Sequence, residues 1–243
     1  MKSRLTSFNP ALILFDIDDT LIVDDNLIYK NATVIKKIHR IQRSGIQIGI
    51  STSRSYEMAW PVYKFLNLDG PILVEMGANY AFKSYKLVKR VFMLVLLWVV
   101  KDLIVVSALT RGITINVSNK RKYSLSISVK DIAYINNLVK TVNNIVKITP
   151  CLASSYRYGD NRIYVRYANI KKNSAVEELL HAYSDIYVIG DFEHNVPSQS
   201  IHYLGVFNSE NDYKTICEYH TNKYEAEGII DLLSYAHNKA KYE

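Results

Sequence analysis

Cysteine is scarce in this chain of 243 residues: there are two, Cys151 and Cys217, far apart and forming no CxxC pair. That excludes a disulfide framework and removes the thiolates a structural zinc site would use. The same usage fits a reducing interior, and a cytoplasmic location is expected. The six histidines show no HExxH or other metal-binding spacing. Met1 to Pro10 holds no apolar stretch followed by a cleavage site, so no secretory signal is expected. No uninterrupted bilayer span is present either. Val91 to Val100 is almost wholly apolar and Leu103 to Leu109 continues the trend, but Lys101 and Asp102 break it. The unbroken run is about half of the roughly 20 residues a span needs. It reads as a buried strand-to-helix segment or a subunit interface, which leaves room for a homodimer and none for a membrane.

There is no basic arm or block, although the formal charge is +7. Scattered cations of that excess favour an anionic partner without specifying nucleic acid. The nineteen tyrosines are dispersed and form no stacking motif. The charge alone leaves a phosphorylated substrate, nucleic acid or a plain solvated basic surface open, and the tyrosine pattern speaks against nucleic acid. Apolar residues make up 49% of the chain, which suits a packed fold and excludes disorder.

No internal repeat or linker interrupts the sequence. Ala11 to Phe15 is a short apolar strand entered after Pro10. Asn31 suits a helix N-cap, with Val34, Ile35, Ile38 and Ile41 on one face and Gly45 placed to end it. Ile46 to Ile50 reads as a second strand, Ser55 to Leu68 as a helix containing Pro61, and Ile72 to Val74 as a third strand. This alternation predicts an open parallel sheet, an α/β fold. The middle differs. Ile113, Ile115 and Val117, then Tyr123, Leu125, Ile127 and Val129, alternate with polar residues, as half-exposed antiparallel strands do. A helix is expected from Asp131 to Val146, with strands near Ile148 and over Arg162 to Tyr167. The first pattern then returns: a helix over Ser174 to Tyr183, strands at Ile186 to Ile189 and Leu204 to Phe207, and a last helix from near Gly228. Residues 1–79 and 169–243 thus read as one core, interrupted by an α+β insert over 80–168.

Ligands of parallel sheets bind beyond the carboxyl ends of the strands. Four clusters of reactive residues fall at such ends or at helix starts: Asp16-Ile17-Asp18-Asp19-Thr20, Ser51-Thr52-Ser53-Arg54, Lys172, and Gly190-Asp191. Carboxylates spaced as Asp16 and Asp18 repel unless a cation intervenes. Magnesium prefers oxygen ligands and keeps several waters, so one or two carboxylates suffice, and Asp191 brings a third. Beside such an ion one carboxylate can attack phosphorus while the other handles protons. Thr52 offers a hydroxyl and Lys172 a charge for phosphoryl oxygens.

These clusters resemble the motifs of the haloacid dehalogenase superfamily. Phe15 to Leu21 resembles its DxDxT motif, Gly49 to Arg54 its second, Lys172-Asn173-Ser174-Ala175 its third, and Gly190 to Asn195 its fourth. Glu75-Met76-Gly77-Ala78 and Gly205-Val206 also have counterparts in the branch of sucrose-phosphate phosphatase-like and phosphoglycolate phosphatase proteins. The resemblance implies a Rossmann-like core with an α+β cap between motifs two and three. It implies Asp16 as nucleophile, Asp18 as general acid and base, and Thr52, Ser53 and Lys172 on the phosphate. It also implies magnesium held by Asp16, a main-chain carbonyl of Ile17 or Asp18, the latter favoured, and Asp191, with Asn195 beside them. The substrate implied is phosphoglycolate or a sugar phosphate. Three departures stand out: Asn195 replaces a common aspartate, His194 an asparagine, and Ser53 and Asn173 glycines. They motivate a rival reading, a weakened member that binds a phosphorylated ligand in a regulatory role. Arg54 reads either as a substrate contact or as an ion pair, and Arg157, Arg162 and Arg166, which alternate with tyrosines, as the exposed face of a strand or as cap residues within reach of an anion.

Overall fold

The computed structural model describes residues 9–81, 92–149, 151–157, 162–168, 172–191 and 200–242. Within these, two sheets organise the chain. The larger contains β1 (Leu12–Phe15), β2 (Gln47–Ser51), β3 (Ile72–Val74), β4 (Asn79–Ala81), β9 (Ile186–Gly190), β10 (Ile201–Gly205) and β11 (Tyr219–His220). Its order is β11-β10-β9-β1-β2-β3-β4, parallel throughout except that β4 runs against β3. The smaller, antiparallel sheet contains β5 (Ile115–Val117), β6 (Ser124–Val129), β7 (Leu152–Arg157) and β8 (Arg162–Tyr167) in the order β5-β6-β8-β7.

The strand β1 is apolar at every position because both faces of the large sheet are covered. Ile13 and Phe15 face a core built with Val34, Ile38 and Ile41 of α1 (Ala32–Gln42), Ala59 and Val62 of α2 (Tyr56–Phe65), and Leu232 and Leu233 of α7 (Glu225–Tyr242). Leu12 and Leu14 face the opposite layer, with Val176 of α5 (Lys172–Glu177) and Tyr213 of α6 (Asn211–Ile216). Asn31 caps α1 as its sequence predicts, its side chain accepting from the N–H groups of Thr33 and Val34. Gly49 sits where a Cβ would lie 2.1 Å from the Pro71 carbonyl oxygen, so β2 tolerates no side chain there. That close approach sets β3 beside β2 and brings Thr52 under Leu73, whose carbonyl accepts from the Thr52 N–H at 3.0 Å.

The smaller sheet carries α3 (Phe92–Leu109) and α4 (Ile135–Lys147) on one face. Leu97, Val100, Ile104 and Ala108 recur at helical spacing on α3 and pack with Leu138 and Val142 of α4 over Ile127, Ile163 and Val165. Each buried leucine, isoleucine or valine among them contributes about 1.5–3 kcal/mol. The apolar segment is therefore one helix, continuous through Lys101 and Asp102. Its other side leaves Trp98, Val99, Leu103, Val106 and Leu109 exposed. Among the described residues no helix is long and apolar enough to cross a membrane.

Several expectations are corrected. The strand β6 is not half-exposed: Ser124 and Ser126 are buried as well as Leu125 and Ile127, because its second face meets the large sheet's loops. Ile148 starts no strand; it closes α4 and is exposed, and β7 begins at Leu152. The helix α2 stops at Phe65, with Asn67 turning at φ 49°. Strand β10 ends at Gly205, before Val206 and Phe207, and α7 starts at Glu225, ahead of Gly228. The short strands β4 and β11 carry too few residues to show a period and escape sequence reading.

Candidate active site

The carboxyl ends of β1, β2 and β9, which are adjacent in the sheet, deliver Asp16, Thr52 and Asp191 to one region. The first turn of α5 adds Lys172 from the neighbouring layer. Its ammonium donates to Asp16 Oδ2 at 2.6 Å, and both side chains are largely removed from water, at 5% and 13% exposure. Asp16 Oδ1 accepts from the Ile17 N–H at 2.6 Å. The nucleophile candidate is thus fixed at both oxygens before any substrate arrives.

Asp18 is held differently. Arg54 forks onto it, Nη2 to Oδ1 at 2.6 Å and Nε to both oxygens at 3.1 and 3.2 Å. Burial works against the Arg54 charge, but the bonds to Asp18 and the nearby Asp16 raise its pKa. The sequence alternatives for Arg54 resolve as an ion pair with a candidate catalytic carboxylate. Thr52 is fully buried, and its Oγ1 accepts from the Arg54 N–H at 3.2 Å. Ser53 turns its carbonyl toward the smaller sheet, where Arg121 Nη1 donates to it at 2.7 Å.

Asp191 is buried, and its carboxyl is pushed up to about 7, first by burial and then by the charge of Asp16, with Lys172 opposing. One ammonium is too little cation for Asp16 and Asp191 together. Among the described residues no group of three or more His, Cys, Asp or Glu side chains is arranged around a metal. Two carboxylates with main-chain and water oxygens still fit a hard ion such as magnesium. Asn195 and His194 lie outside the described residues, and so does the side chain of Arg157. Arg162 is exposed and Arg166 half-buried.

Sequence reasoning assigned no role to Glu75 or Arg121, which join the two sheets here. Glu75 and Met76 adopt left-handed backbone, φ 50° and 61°. Glu75 N–H donates to the Arg54 carbonyl at 2.8 Å and Met76 N–H to that of Thr52 at 3.2 Å. The buried Glu75 carboxylate then accepts from Lys122 N–H (2.9 Å), Tyr123 N–H (2.8 Å) and Ser124 Oγ (2.8 Å) at the head of β6. Its place at the end of an apolar strand, within the Glu75-Met76-Gly77-Ala78 stretch that has counterparts in the resembled branch, was the available signal.

A family profile described as haloacid dehalogenase-like hydrolase matches residues 13–226. The chain belongs to the haloacid dehalogenase-like hydrolases. That stretch includes every motif residue described above. No curated protein sequence matches significantly. Several solved structures share the fold over nearly the whole chain. A Thermoplasma acidophilum protein is 16% identical at a TM-score of 0.70, over 93% of this chain and 98% of that one. A sugar phosphatase of subclass IIB is 13% identical at 0.65, over 93% and 98%. The C-terminal domain of C. albicans trehalose-6-phosphate phosphatase is 17% identical at 0.65, over 95% and 93%. At these identities the likeness is one of fold.

Proposed function

We propose that this hydrolase is a magnesium-dependent phosphatase that moves the phosphoryl group of a small phosphomonoester, phosphoglycolate or a sugar phosphate, onto Asp16. The observation that carries this is Asp16 itself, gripped by Lys172 and Ile17 at the end of the central strand with Asp18, Thr52 and Asp191 around it. The two sugar-phosphate phosphatases that share the fold favour the same class of substrate. A carboxylate oxygen of Asp16 attacks phosphorus, the bond to the leaving oxygen breaks, and Asp18 protonates that oxygen. Asp18 then takes a proton from water, which attacks the acyl phosphate, releasing phosphate and restoring Asp16. Thr52 and Lys172 hold phosphoryl oxygens in both steps. Asp16, Asp191 and the Asp18 carbonyl are the groups to hold magnesium, which when bound offsets the repulsion between Asp16 and the substrate's anion. Residues 80–168 act as the cap that closes over the phosphoryl site and excludes water.

Asp18 serves as acid only after Arg54 releases it, and an incoming phosphate competes for the same guanidinium. That fork is also the feature that favours the rival reading, a weakened binding protein. Phosphate release from a panel of phosphomonoesters, with and without magnesium, separates the two. Magnesium-dependent turnover that falls about 10³-fold or more in Asp16→Asn supports the phosphatase. A folded native chain that binds the panel without releasing phosphate overturns it.

A further inference from the structure

Arg121 stands in the loop between β5 and β6 and reaches out of the smaller sheet toward the core. Among the described residues one nitrogen, Nη1, makes both of its hydrogen bonds, to the Ser53 carbonyl at 2.7 Å and to Ser124 Oγ at 3.3 Å. Both acceptors are uncharged. The guanidinium rests on the ring of Tyr164, 5.3 Å from its centroid, which fixes its plane. Nε and Nη2, one edge of the fork, have no partner among the described residues.

The charge balance around it is unusual. Burial works against the Arg121 cation, and Arg162 on the neighbouring strand adds repulsion. Glu75 and Asp18 lie near enough to offset part of this. Neither pairs with it: Glu75 is occupied by Lys122, Tyr123 and Ser124, and Asp18 by Arg54. A half-buried guanidinium without an ion partner is costly unless an anion joins it. Its anchor, Ser53, follows Thr52 directly, so the free edge lies at the seam between the phosphoryl-binding loop and the cap. The side of the cap sheet opposite α3 and α4 carries the same sign, since Arg162, Tyr164 and Arg166 alternate with the buried Ile163, Val165 and Tyr167.

We propose that Arg121 is a specificity-determining residue that receives a second anionic group on the leaving side of the substrate, a carboxylate best matching its planar fork. The proposal rests on the phosphatase reading and sharpens it: the preferred substrates are phosphorylated hydroxy acids rather than phosphate esters of neutral alcohols. The phosphoryl group itself is met from the core by Lys172 and Thr52, which leaves the cap-borne cation for the far end of the molecule.

The test compares 2-phosphoglycolate with ethyl phosphate, which has the same chain length and no carboxylate. Equilibrium binding is measured by calorimetry in the Asp16→Asn chain with magnesium, alone and combined with Arg121→Met or Arg121→Lys; turnover is measured separately in chains retaining Asp16. The expected result is at least roughly tenfold tighter binding of 2-phosphoglycolate, lost in Arg121→Met, partly kept in Arg121→Lys, with ethyl phosphate binding unchanged. Equal binding of the two esters before any change at Arg121 overturns the proposal, and needs no variant to fold. So does a preference that survives Arg121→Met, or a loss that is equal for both esters. Selective binding without turnover in the native chain sustains Arg121 and sinks the phosphatase reading; turnover without selectivity does the reverse.

Discussion

Replacing Glu75 by alanine tests whether the two sheets are held together by one carboxylate. The change strands two main-chain N–H groups, of Lys122 and Tyr123, and the Ser124 hydroxyl. An unsatisfied buried donor costs about 1–3 kcal/mol, so three set an upper range of about 3–9 kcal/mol. Water entering the opened seam recovers part of it, and the working figure is about 3–5 kcal/mol. The left-handed backbone at Glu75 does not change the comparison, because alanine meets the same strain at φ 50°. At about 2–4 °C per kcal/mol for a chain of this size, the melting midpoint falls by roughly 6–20 °C. Hydrogen exchange resolved by residue is the decisive assay, since the amides of Lys122 and Tyr123 lose their acceptors directly. Glu75→Gln keeps one acceptor oxygen and is expected to lie between the two. Unchanged protection of both amides in Glu75→Ala, with a midpoint within about 2 °C, would refute the reasoning.

Other perturbations follow from the same geometry. Lys172→Met leaves the half-buried Asp16 near Asp191 without its ammonium partner; it costs about 3–5 kcal/mol by denaturant titration and abolishes phosphate release. Asp191 has a folded pKa of about 7 against an ordinary 3.8, so the folded metal-free chain keeps a proton the unfolded chain has shed. Stability therefore falls as pH rises from about 4 to 7, by up to about 4 kcal/mol. Asp191→Asn flattens that slope, and magnesium restores stability at pH 7.5 in the native chain; a flat native profile rejects the assignment. Gly49→Ala drives a methyl group into the Pro71 carbonyl and is expected to cost about 3 kcal/mol or prevent folding, read by expression and thermal melting.

Much of the core was legible because its signals are local. Short, mostly apolar stretches closed by Asp16, Ser51 and Gly190 announce buried parallel strands, and Asn31 announces a helix start. The clustering of Asp16, Thr52, Lys172 and Asp191 followed from motif order together with the rule for parallel sheets. What escaped was set by contacts between distant segments. Ser124 and Ser126 alternate as a half-exposed strand should, yet both are buried, with Glu75 and Arg121 reaching Ser124 from distant or turn positions. Main-chain donors such as Lys122 N–H and Tyr123 N–H have no residue signature, so nothing marked Glu75 as a joint. Arg121 was one basic residue in a polar turn until Ser53 and Tyr164 came to it through the fold.

The helix α3 bears on the order in which the molecule comes together. It emerges before any strand of the small sheet, and the residues it rests on, from Leu125 to Tyr167, follow it in the chain. At roughly 5–20 residues per second of synthesis, its apolar stripe waits several seconds for a surface. The central strand β1 waits longer, because its neighbour β9 begins only at Ile186. The smaller sheet is thus completed before the larger one, whose strands β9, β10 and β11 come later in the chain. Through the whole interval Trp98, Val99, Leu103, Val106 and Leu109 stay in water, as they do at the end. A nascent chain halted between residues 109 and 167 is the species most prone to aggregate, and the one a holding chaperone would capture.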